Sequence, residues 1–112
     1  MIKYDLEERT AKFAEEVLCF LKTILETTIN KPIIIQIVRA ITSIAANYCE
    51  ADGAESKRDF RHKIAICKKE AKEAKLWFRM LAKVNPETAE QCRKFWQEAQ
   101  ELTLIFSAIL RK

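Results

Sequence analysis

Glycine occurs once in this chain of 112 residues, histidine once and proline twice. With Gly53 alone, neither GxxxxGK nor GxGxxG can be written, and no phosphate cradle can be built from backbone nests. The scarcity of glycine and proline also argues against a sheet with tight hairpins and against a linker-rich chain of several domains. One domain over residues 1–112 is expected. The lone histidine, His62, follows no glutamate at a spacing of three, so the Glu-x-x-His pairs of a di-iron bundle are missing, as is HExxH. Glu70 and Glu73 share a helical face, yet with no histidine beside them they are expected to pair with Lys69, Lys72 or Arg39, or to join an inter-helix hydrogen-bond network. No serine–histidine–acid set is suggested. The expectation is a protein with no enzymatic activity, no cofactor and no metal.

Paired cysteine motifs are lacking too. Cys19, Cys49, Cys67 and Cys92 form no CxxC, and each has apolar neighbours at helical spacing. They are read as small core residues in a reducing compartment. The opening MIKYDLEERTAKF is charged from its third residue and lacks the apolar run of a signal peptide. The longest apolar stretch, residues 33–48, is interrupted by Gln36, Arg39, Thr42, Ser43 and Asn47. It reads as too short and too polar to span a bilayer. A cytoplasmic location without membrane contact is the expectation.

What the chain has in plenty is Ala, Leu, Ile, Lys and Glu, as helices prefer. Residues 56–83 run without Gly or Pro, and Phe60, Ile64, Cys67, Ala71, Ala74, Phe78 and Leu81 recur at four- and three-residue steps, one stripe of a helix. Ser56 with Asp59 three residues on is a capping box that marks its start. Residues 57–83 carry ten basic side chains against three acidic ones, a net of +7, while the whole chain is at +4. The remainder therefore sums to −3, and the basic character belongs to this helix. Arg61, Lys68, Lys72, Lys75, Arg79 and Lys83 fall opposite the apolar stripe.

Three further helices complete the reading, about residues 6–25, 32–51 and 86–110, with 57–84 as the third. Asp5 caps the first. Pro32 and Pro86 suit first turns, where their missing N–H needs no partner, with Asn30 or Lys31 and then Asn85 as caps. The β-branched run 33–38 is assigned to helix because Ile41, Ile44, Ala45 and Tyr48 continue at helical spacing and no second strand exists to pair with it. Its wide apolar face suggests more than one neighbour, a central place in the bundle or a subunit contact. Gly53 is expected to end this helix in a left-handed conformation. Cys92, Phe95, Trp96, Ala99, Leu102, Phe106, Ile109 and Leu110 form the stripe of the fourth. Phe13, Phe20, Phe60, Trp77, Phe95 and Phe106 are expected in the core. Four amphipathic helices with short connections point to an all-α, antiparallel up-down-up-down four-helix bundle.

A polar set is expected inside this bundle. Ser43 and Asn47 lie one turn apart among Ile and Ala, with Glu50 three residues later, and a buried Asn needs partners, for which Glu70 or Glu73 are candidates. Arg39, Ser43, Asn47, Glu50, Glu70, Glu73 and Trp77 are read as buried polar, structural residues.

Several of these stretches, Arg39-Ala-Ile-Thr-Ser43-Ile-Ala-Ala-Asn47-Tyr-Cys-Glu50, Ser56-Lys-Arg-Asp-Phe60, Glu70-Ala-Lys-Glu73-Ala-Lys-Leu-Trp77, the opening Tyr4-Asp5-Leu6-Glu7 and Phe13-Ala14, carry a resemblance over nearly the whole chain. The chain resembles bacterial four-helix bundle proteins related to those encoded in intervening sequences of the large-subunit ribosomal RNA gene, and to the accessory protein of diversity-generating retroelements. Members often have Gly where Ala45 stands, or Ile where Tyr48 stands. The resemblance implies a cytoplasmic bundle assembled as a ring-like homopentamer. For the retroelement relatives it implies a basic surface that binds nucleic acid and a reverse transcriptase. The resulting expectation is a homo-oligomeric accessory module that binds nucleic acid, RNA first, through the basic face of the third helix. The alternative is a structural or protein-interaction module whose basic helix is merely solvated. No aromatic recognition motif or zinc module appears, so phosphate and shape are the expected main determinants.

Overall fold

The computed structural model describes residues 5–112; Tyr4, part of the opening motif, lies outside them. Four α-helices and no strand are present among the described residues: α1 (Leu6–Leu21), α2 (Asn30–Asp52), α3 (Lys57–Val84) and α4 (Ala89–Arg111), the last preceded by a 3-10 turn over Pro86–Thr88. Two of the helices are started by the residues the sequence singles out. Asp5 Oδ1 accepts the Glu8 N–H at 3.0 Å, and Ser56 Oγ accepts the Asp59 N–H at 3.0 Å.

Elsewhere the boundaries differ from the sequence reading, each for a local reason. α1 stops at Leu21 rather than near residue 25. There the Thr23 and Ile24 N–H groups close tight turns onto Phe20 O and Leu21 O, and the Thr23 hydroxyl donates to Phe20 O at 2.7 Å. α2 begins two residues before Pro32, its Asn30 N–H held by Thr27 Oγ1 at 2.9 Å. Asn85 does not use its side chain to cap α4. Its amide exchanges two hydrogen bonds with Asn30, at 2.8 and 3.0 Å, a buried pair that ties the end of α3 to the start of α2. Gly53 is not left-handed: with φ −103° it adopts a conformation open to other residues, and the turn closes through the Ala54 N–H onto Ala51 O at 3.1 Å.

α3 packs against both α2 and α4, α1 packs against α2, and the α1–α4 seam is sparser. Contacts step down α3 as they step up α2: Arg39 meets Glu70, Ile44 O meets Cys67 and Glu50 meets Lys63. The same reversal holds between α3 and α4, where Arg61 meets Leu110 and Lys75 meets Gln100. The long dimension of the molecule, 44 Å, is set by the 28 residues of α3.

The core runs along the axis through Val17, Ile37, Ile41, Ile44, Ile64, Phe78, Leu102 and Phe106, all fully buried. Phe13, Phe78 and Phe95 join α1, α3 and α4 in a triangle, with ring centroids 5.6–6.4 Å apart. Phe20, Phe60 and Trp77, expected with them, are only half-buried. Each stands at a helix end or a helix edge where the bundle does not close over it. Cys67 and Cys92 are core residues, whereas Cys19 and Cys49 are exposed. Burial pushes the Cys67 thiol up to about 12.

By length and composition α2 meets the requirement for crossing a membrane, with a mean hydropathy of 1.3 over its most apolar window. The expectation of a stretch too short and too polar is thereby corrected, since the helix extends beyond residues 33–48. Its sides are nevertheless occupied by α1 and α3, and Arg39 at its middle is ion-paired to α3.

Candidate nucleic-acid interface

α3 exposes two unlike strips, and the pairing of its acidic residues separates them. On the side toward α2, Arg39 donates to Glu70 Oε2 at 2.7 Å and to Glu73 Oε1, and the Trp77 indole N–H also donates to Glu73 Oε1, at 3.3 Å. The hydrogen bond to Glu70, with the field of both carboxylates, raises the pKa of the Arg39 guanidinium above its ordinary value. Glu70 is the buried member, and its Oε1 finds no partner.

The expected polar set is thus brought together only in part. Arg39, Glu70, Glu73 and Trp77 form one network, but Arg39 is nearly half exposed and Glu73 and Trp77 are half-buried. Ser43 and Asn47 are not in it. Asn47 donates to Ser43 O at 2.8 Å and to Ser43 Oγ at 3.0 Å, so a local bond within α2 satisfies it instead of Glu70 or Glu73, which Arg39 holds two turns away. Ser43 and Asn47 are half-buried, and Glu50 is exposed, bonded to Lys63 at 2.8 Å.

With Glu70 and Glu73 turned to α2, the charge left on the exposed surface of α3 beyond its first turn is basic. Arg61, Lys72, Arg79 and Lys83 reach solvent, while Lys68 and Lys75 are half-buried. Arg61 donates to Leu110 O at 2.8 Å, at the carbonyl end of α4 where a cation is favoured. Lys75 donates to Gln100 Oε1 and stands 5.4 Å from the centre of the Trp96 ring. Lys68, Lys72, Arg79 and Lys83 have no side-chain partner among the described residues, which leaves them available to a ligand. Lys69 lies outside the basic stripe read from the sequence; it lines a shallow depression with Ala65, Lys68, Lys72, Glu73 and Leu76.

Two features escape sequence reasoning. Arg9 makes a two-pronged bond to Glu98, both contacts at 2.8 Å, and a third to Glu101 at 3.0 Å, closing the α1–α4 seam. No spacing in the sequence signals a pair 89 residues apart. Trp96 belongs by periodicity to the α4 core stripe, yet it stands half-buried at the edge, under Lys75. Among the described residues no three His, Cys, Asp or Glu side chains converge as a metal site would require.

No curated protein matches the chain. Its fold matches the crystal structure of a protein of unknown function from the S23 ribosomal protein family of Bacteroides thetaiotaomicron, with a TM-score of 0.83 and 28% identity over 95% of both chains. The family model for the 23S rRNA-intervening sequence protein matches residues 3–108. This chain therefore belongs to the 23S rRNA-intervening sequence protein family.

Proposed function

We propose that the chain is a non-enzymatic, homo-oligomeric accessory module of the cytoplasm that binds nucleic acid, RNA in the first place, through the outer face of α3. The observation that carries this reading is the segregation of charge. The two carboxylates nearest the middle of α3 are bound by Arg39, and four cations beside them have no protein partner among the described residues. The name of the family, tied to an intervening sequence in ribosomal RNA, favours RNA over DNA. The chain forms one domain, read as an up-down-up-down bundle in which each helix runs opposite to its neighbour. Phosphate contacts release condensed counterions, so binding of a structured RNA measured by fluorescence anisotropy weakens steeply as salt rises and varies little with sequence. Absence of binding by the wild-type chain at low salt defeats the reading.

A second surface supports self-association. Ile35 on α2 and Leu76, Met80 and Val84 on α3 are each more than two-fifths exposed, and the last three recur every four residues. They lie beside the Arg39 network, and Leu76 shares a depression with Lys68 and Lys72, so this apolar surface borders the basic strip. Repetition of the strip in each copy multiplies a weak patch into a larger field. Light scattering coupled to gel filtration is expected to give a mass several times 13.1 kDa, five copies being the number the family resemblance implies. A clean monomer at micromolar concentration overturns the assembly. It would leave this apolar surface to a different protein.

A further inference from the structure

We propose that the α3–α4 seam recognises single strands, with the indole of Trp96 as the platform on which a base stacks. The inference rests on the nucleic-acid reading above and adds to it a discrimination that phosphate contacts cannot supply. Three side chains from two helices meet there, Lys75, Trp96 and Gln100, and helical spacing sets Arg79 and Arg93 beside them. Lys75 and Arg79 are one turn apart on α3, and Arg93, Trp96 and Gln100 succeed one another at single-turn spacing on α4. Trp96 is half-buried, so part of its ring surface reaches solvent. The Lys75 ammonium is 5.4 Å from the ring centre and is shared with Gln100 Oε1. An aromatic face that attracts a cation also accepts the face of a base. The same ammonium has a natural second position on the phosphate of the nucleotide whose base stacks. As Lys75 moves from ring to phosphate, the indole is uncovered and the Gln100 amide is released to meet a base edge. Arg79 and Arg93, both exposed, are placed for the flanking phosphates.

Trp77 provides the internal contrast. Its indole N–H is held by Glu73 on the α2 side, within the Arg39 network, so its role is structural. A paired, stacked base in a duplex cannot reach an indole lying at a helix–helix seam, whereas an unpaired base can. The basic strip therefore takes either form of nucleic acid, and Trp96 adds affinity only for the unpaired one.

Trp77→Phe leaves Trp96 as the sole tryptophan, and its fluorescence reports the platform directly. Titration with oligouridylate is expected to quench it saturably. A hairpin duplex of matched length, whose binding is followed by anisotropy, is expected to bind without quenching. Trp96→Ala is expected to weaken oligouridylate binding about tenfold, leave duplex binding unchanged and leave the salt slope unchanged, because no phosphate contact is lost. Trp96→Phe retains most of the affinity, and it decides the matter if the Ala variant melts early. Binding of oligouridylate without quenching, or an equal loss for single strand and duplex, overturns the platform while the basic strip stands. If wild type binds neither ligand, strip and platform fall together.

Discussion

Truncation of Phe78 to Ala is expected to lower the unfolding free energy by about 3–5 kcal/mol. For a chain of this length that corresponds to a fall in Tm of roughly 12–20 °C. Phe78 is fully buried at the heart of the bundle, and its ring meets Phe13 of α1 and Phe95 of α4. Its removal leaves a cavity lined by three helices, none of which can close it without losing contacts elsewhere. Phe60→Ala is the control. That ring is half-buried in the first turn of α3, and its loss costs only about 1 kcal/mol. Both variants are compared by thermal and urea unfolding at one protein concentration, since self-association adds to apparent stability. A Phe78→Ala protein that melts with wild type, or a Phe60→Ala protein that melts below Phe78→Ala, would show the core to be elsewhere.

That contrast marks where the sequence is readable. A heptad-like stripe of Phe60, Ile64, Cys67, Ala71, Ala74, Phe78 and Leu81 tells which face of α3 turns inward, and all seven are buried except Phe60. Periodicity gives direction around a helix but not depth along it, so a residue in the first turn looks the same as one in the middle. The helix starts marked by Asp5 and Ser56 are legible because the capping bond is local, three residues away. The end of α1 and the role of Asn85 are not, because they depend on partners beyond the helix. Asn85 reads as a cap for α4 until Asn30, 55 residues earlier in the chain, takes its amide.

The candidate site divides in the same way. That the positive charge resides in α3 comes from counting. That Glu70 and Glu73 are withdrawn from it comes only from the crossing of α2 over α3, which sets Arg39 between them. The sequence offers Arg39 as one of three candidate partners, and geometry selects it over Lys69 and Lys72. Asn47 goes the other way. Its amide reads as needing a long-range partner, yet its own helix satisfies it through Ser43. Trp96 shows the converse error: a large aromatic beside Phe95 invites assignment to the core, and only the placement of Lys75 over its ring reveals an edge. The apolar members Leu76, Met80 and Val84 sit outside the inward stripe and have no role in the periodic pattern, which is itself a signal for a surface that meets a partner.

Simultaneous reversal of Lys68, Lys72 and Arg79 to Glu is expected to abolish nucleic-acid binding while leaving the fold intact. Each substitution changes the local charge by two, so the net charge of the subunit moves from +4 to −2. None of the three side chains has an ion-pair partner among the described residues, and surface changes of this kind alter stability by about 0.5 kcal/mol or less each. The far-ultraviolet spectrum and the oligomeric mass should therefore match wild type. Three lost phosphate contacts reduce the slope of log affinity against log salt by about three, and the added carboxylates repel the backbone as well. At low salt the affinity is expected to fall at least a hundredfold, roughly 3 kcal/mol. Structured RNA and duplex DNA should suffer alike, because these cations meet phosphates and not base edges. A control with Lys12, Lys22 and Lys94 reversed, cations of the α1 and α4 regions outside the α3 strip, makes the same change in net charge and should lose far less. Equal loss in both triple variants would reduce the interaction to net charge. Undiminished binding by the α3 variant would leave α3 as a solvated face and put the nucleic-acid contact elsewhere on the chain.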